Sequence, residues 1–98
     1  AVLPMEVAQC CIEMLHLSKS VVDKGNPNAL SDSGVAALMA YAGLTGASFN
    51  VEINLGSIKD NVFVGEMHVK TETLLKEGAD LKDKILGVIQ VKLKGVID

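Results

Sequence analysis

Apolar residues recur along this chain at helical spacing, in segments parted by two polar breaks. The first segment predicts a helix over residues 3–24. Its seam, Leu3, Val7, Cys10, Met14, Leu17 and Val21, alternates steps of four and three, and Cys11, Leu15 and Val22 widen it. Pro4 is tolerated in the first turn. Glu6, Gln9, Glu13 and Ser20 form the wet side, and His16 lies there too, one turn beyond Glu13, as a surface histidine in a weak helix pair. The first break, Gly25-Asn26-Pro27-Asn28, joins a left-handed helix end to a residue biased away from helical angles by the proline that follows it. Ser31 and Asp32 then offer side-chain oxygens to the free N–H groups of a helix starting near Ser33.

That second helix is apolar on every side, and residues 33–51 include no charged side chain. One face, Ala36, Ala40, Gly43, Ala47, Asn50 and Asn54, holds only small or amide side chains, which lets another helix approach closely. Such a segment belongs in the middle of a bundle or in a membrane. The uncharged run is near the length of a span. However, Gly34, Gly43, Gly46, Thr45, Ser48 and Asn50 interrupt it, and Asp32 rather than a basic residue flanks its start. The centre of a soluble bundle is therefore expected, with no membrane partner.

Beyond a second break over 55–60, Asp60 is placed to cap a third helix over 61–77. Its core face would hold Phe63, Val64, Met67, Thr71, Leu74 and Leu75, with His68 half-buried beside it. A last helix over 79–96 would bury Leu81, Ile85, Leu86, Val88, Ile89, Leu93 and Val96. These two read either as separate helices or as one with a weak point at Gly78. The expected fold is all-α, an antiparallel helical bundle in a single domain over 1–98.

Composition changes the picture in three places. With 49% hydrophobic and only 3% aromatic residues in 98, the core must be aliphatic and modest. The net charge is −3, every basic residue is lysine and no basic stripe forms, so nucleic acid is not an expected partner. Cys10 and Cys11 are adjacent and point in different directions from one helix, so they neither staple distant segments nor make a zinc site. They read as small buried hydrophobes in a reducing cytoplasm.

No Ser/His/Asp order, HExxH, phosphate-cradling loop or paired-cysteine motif is present. The polar groups that could converge are Asn26, Asn28, Ser31 and Asp32 in the turn, with Asn50 and Asn54 on the small face. Asparagine is a poor helix former, and two of them one turn apart on a close-packing face need partners. Either they bond backbone or a facing helix, or they line a polar pocket.

The stretch KGNPNALSDSGVAALMAYAGLTGASFNVEINLGSIKD resembles the C-terminal half of the formiminotransferase-cyclodeaminase C-terminal family. The pieces that carry the likeness are Gly25, Asn26, Asn28, Ser31, Asp32, Gly34 to Ala37, Asn50, Val51, Ile53, Asn54, Leu55, Lys59 and Asp60. Pro4-Met5-Glu6-Val7 resembles the family's helix start. The resemblance implies an all-helical, dimeric fold about twice this length, whose first half carries a glycine loop that this sequence does not supply. The chain thus reads as a fragment or a truncated homologue, partnered by a second copy or by a missing N-terminal half.

What the resemblance implies about function is a cytoplasmic formiminotetrahydrofolate cyclodeaminase of histidine degradation, a lyase inactive as half a domain. Alternatives are a methenyltetrahydrofolate cyclohydrolase and a non-catalytic helical interaction module. The substrate would be a tetrahydrofolate derivative, with no metal, because its one-carbon unit is already activated. Asp32 is the candidate catalytic carboxylate, with capping as its competing role. Asn26, Asn28, Ser31, Asn50, Asn54 and Lys59 are the candidate substrate-binding residues.

Overall fold

The computed structural model describes residues 2–25 and 27–97, with side chains over 3–25 and 29–95. It consists of three helices, α1 (Val2–Asp23), α2 (Pro27–Leu55) and α3 (Asn61–Ile97), and no strand among the described residues. Gly34 of α2 meets Ile89 of α3, Tyr41 meets Lys82, and Glu52 meets His68, so α2 and α3 run antiparallel. His16 pairs with Glu77 and Val22 with Lys92, so α1 and α3 run parallel. The result is an up-down-up bundle 57 × 17 × 16 Å in extent.

Three boundaries have clear causes. α1 ends at Gly25, whose φ of 75° suits glycine and whose N–H donates to the Val22 carbonyl at 3.1 Å. That carbonyl also accepts from Lys92 Nζ, so α3 helps to close α1. α2 begins at Pro27, six residues before the expected start. Proline restrains the residue before it, but it fits the first turn of a helix because its missing N–H has no partner there anyway. Asp60 caps α3 as expected, its Oδ1 accepting from the N–H groups of Val62 and Phe63 at 3.1 Å each.

α3 is a single 37-residue helix, and Gly78 is no weak point in it. The glycine is where α3 lies closest to α1 and α2. A Cβ there would collide with Leu44 and touch Ile12 and Leu15 at 3.5 Å. The missing side chain, not the flexible backbone, is what this position needs.

The core is aliphatic, with Leu15, Val22, Leu30, Leu44, Val51 and Ile85 almost fully enclosed. Burying each such side chain stabilises the fold by about 1.5–3 kcal/mol. Two of the buried hydroxyls bond within their own helices, Ser48 Oγ donating to Thr45 O at 2.6 Å and Thr71 Oγ1 to Met67 O at 2.8 Å.

α1 turns a different face inward from the one its spacing suggested. Leu15 and Val22, from the widened edge of the expected seam, are buried together with Met5, Ala8 and Ile12, whereas the centre of that seam stays open, with Leu3 69%, Met14 48% and Leu17 63% exposed. α1 has two apolar stripes, and only contact with α2 and α3 decides which one is covered. For the same reason Cys10 is exposed and Cys11 only half-buried, and neither is the buried hydrophobe expected.

Candidate functional site

The candidate residues fall into two groups at opposite ends of α2. Ser31 and Asp32 lie in its second turn, both exposed. Asn28 belongs to the first turn, its side chain outside the described residues, and Asn26 lies outside them altogether. Asn50 and Asn54 lie near the other end, with Lys59 just beyond it, all exposed. At 1.5 Å per residue Asp32 and Asn50 stand about 27 Å apart. α2 and the break that follows it hold the two groups at opposite ends, so they do not converge within this chain.

The roles expected from capping change accordingly. With α2 starting at Pro27, Ser31 and Asp32 are helical residues and not caps. Asp32 makes no ion pair with a described residue, leaving its carboxylate to solvent or to a partner. The polar pocket or backbone bonds expected of Asn50 and Asn54 are also missing among the described residues, where both amides face outward.

Asn50 does border a groove. It lies with Gly43, Gly46 and Ala47 of α2 opposite Leu3, Pro4 and Val7 of α1, around a hollow of about 350 Å³. Gly43 is the floor, where a Cβ would stand 3.0 Å from Cys11 Sγ. Above Gly46 nothing lies within 4 Å. Burial pushes the Cys11 thiol upward in pKa, with a smaller contribution from Cys10 beside it. This groove is an apolar trough with one amide at its rim.

Sequence reasoning missed the imidazole–carboxylate contacts between helices. His68 is exposed rather than half-buried, and its Nδ1 lies 2.7 Å from Glu52 Oε2. His16 pairs not with Glu13 but with Glu77, at 3.4 Å. Glu52 is two residues from Asn50, which turns it about 160° away around α2, so His68 does not face the groove. No periodicity could have revealed these pairs, because they join residues far apart in sequence.

A second hollow, of about 490 Å³, lies between α1 and α3 and is lined by Lys19, Lys84, Gly87, Val88, Val91 and Lys92. Its three ammonium groups are engaged, Lys19 by Asp23 at 2.6 Å, Lys84 by Asp80 at 2.9 Å and Lys92 by the Val22 carbonyl. Among the described residues no group of three or more His, Cys, Asp or Glu could hold a metal ion.

Residues 1–73 match the family described as Formiminotransferase-cyclodeaminase. The chain belongs to that family. It is 38% identical over 90 residues to the methenyltetrahydrofolate cyclohydrolase of Methylorubrum extorquens, covering 92% of this chain and 43% of that protein. It is also 32% identical over 89 residues to the formimidoyltransferase-cyclodeaminase of Mus musculus, covering 91% of this chain and 16% of that one. The Rattus norvegicus enzyme of the same name is 30% identical over 89 residues. The chain therefore spans less than half the length of the curated relatives it matches. The family likeness runs through both polar ends of α2 and through the Lys59-Asp60 break, where Asp60 has a structural task as the cap of α3.

Proposed function

We propose that this chain forms part of a folate enzyme that closes or opens the ring of 5,10-methenyltetrahydrofolate. The observation that carries the reading is likeness over more than nine-tenths of the chain to relatives named for these two reactions. In the cyclodeaminase direction, the neighbouring amine nitrogen of 5-formiminotetrahydrofolate attacks the formimino carbon. The formimino group reacts in its protonated, amidinium form; the bond from that carbon to the terminal nitrogen breaks, and ammonia leaves with the proton the amine gives up, leaving the methenyl cation. In the cyclohydrolase direction, water adds to the methenyl carbon and one ring C–N bond opens, leaving a formyl group on nitrogen. The higher identity to the cyclohydrolase supports this second reading beside the first.

Both reactions need two nitrogens, or nitrogen and water, held at attack distance while a proton moves between them. Asp32 is the carboxylate suited to that transfer, being outside any cap and unpaired with a described cation. Asn28, Ser31 and the turn residue Asn26 would orient the substrate beside it. Asn50 and Asn54 would bond a pterin edge, and Lys59 would attract an anionic tail. The two groups lie about 27 Å apart on one helix. They therefore act either in different copies of a shared site or against polypeptide outside this chain.

The test supplies the chain with the part of the M. extorquens cyclohydrolase that it does not match. Ammonia release from formiminotetrahydrofolate identifies the cyclodeaminase. Water-driven loss of methenyltetrahydrofolate without ammonia identifies the cyclohydrolase. Absence of both from a complex that binds tetrahydrofolate would remove the catalytic reading and leave a binding module. Asp32→Asn should lower turnover with helix content unchanged.

A further inference from the structure

Lys92 reaches from α3 to the end of α1, 70 residues away in sequence, where its ammonium donates to the Val22 carbonyl. The same carbonyl accepts from the Gly25 N–H at 3.1 Å, so one oxygen ties the turn to both helices. Lys92 Nζ also lies 3.0 Å from where a Cβ on Gly25 would stand, so the ammonium rests on the turn itself. α1 has no basic residue in its last turn, and α3 supplies the cation that suits its carbonyl end. The connection is short, since α1 ends at Asp23 and α2 begins at Pro27, with Asn26 and Asn28 on either side of that proline in sequence. We propose that Lys92 is a positioning residue, whose ammonium fixes this turn and thereby sets where Asn26 and Asn28 stand.

The core holds what lies on either side of the turn. Val22 at the end of α1 is fully enclosed, and so, within 1%, is Leu30, which with Ala37 seats α2 from its second turn onward, Asp32 included. Among the described residues between Val22 and Leu30 none is buried. The hydrogen bond from Lys92 therefore does for this turn what packing does for its flanks. Lys92 also lies beyond residue 73, where the family match ends, so a residue outside the matched segment serves a turn inside it. The placement of the turn stands on this geometry alone, whereas its consequence for a substrate rests on the folate reading. Asn26 and Asn28 would grip the substrate alike before and during reaction, so their displacement should weaken binding more than chemistry.

The test is Lys92→Met, which keeps an apolar stem beside Val88 and Val91 and removes the ammonium. Residue-resolved amide exchange on the chain should become about tenfold faster at Gly25 and stay unchanged at buried Ile85, with helix content retained. In the complex with the unmatched part of the M. extorquens cyclohydrolase, KM for the folate turned over should rise about fivefold and kcat stay within about twofold. Lys92→Arg should restore both, and Lys94→Met, at an exposed lysine in the last turn of α3, should alter neither. Exchange at Gly25 indifferent to Lys92→Met would overturn the proposal, as would faster exchange with KM unmoved in an active complex. A general loss of helix content that arginine does not repair would make Lys92 a merely structural residue and overturn it too. A wild-type complex inactive on both folates would remove the folate reading instead, and exchange at Gly25 alone would then decide whether Lys92 fixes the turn.

Discussion

Leu44 and Met39 stand five residues apart on α2, equally apolar, yet one is 1% exposed and the other 69%. The two sides of this helix have the same kind of sequence and opposite surroundings. Toward α1 and α3, small and branched side chains interlock around Gly78. On the other side an equally apolar surface meets nothing in the chain. The lesson is that hydrophobicity says a surface is to be covered, and only the neighbouring elements say by what. By length and composition residues 29–55 could even cross a membrane, yet only 39% of the qualifying window is buried in the bundle.

The strongest way to sharpen this contrast is to truncate both sides. Leu44→Ala should lower unfolding free energy by about 2–5 kcal/mol in urea titration. Met39→Ala, measured where the chain is monomeric, should change it by no more than about 0.5 kcal/mol. Equal losses would show that the outer face is packed in the monomer and would break the comparison.

Glycines give the next test. Gly78→Ala should destabilise by roughly 1–3 kcal/mol, because the new methyl forces the buried Leu44 side chain to shift within the core, despite the better helix propensity of alanine. Gly46→Ala meets nothing within 4 Å and should stabilise the monomer by about 0.4–1 kcal/mol.

Carboxylates at the two breaks separate cap from candidate chemistry. Asp60→Ala should cost about 0.5–2 kcal/mol by removing the acceptor for Val62 and Phe63. Asp32→Ala, inside a helix, should stay within about 0.5 kcal/mol. A loss at Asp32 as large as at Asp60 would restore it to a capping role.

The smallest effect is chemical. Cys10 should react with a disulfide reagent several-fold faster than Cys11, whose raised pKa keeps less thiolate at neutral pH and whose sulfur faces Gly43. Mass spectrometry after brief labelling reads the order.

Much was legible in the sequence. Helical spacing gave the all-α class and the extent of α1, Asp60 before a periodic run gave the start of α3, and the Asn-Pro-Asn turn with its downstream asparagines gave the family. These are local matters, fixed by backbone geometry and by residue type within a few positions. The choice between the two stripes of α1, the partners of His16 and His68, the continuity of α3 through Gly78 and the separation of Asp32 from Asn50 belong to the tertiary structure. Each depends on which surfaces meet, and a helix that is apolar on every side has no polar face to say which way it turns.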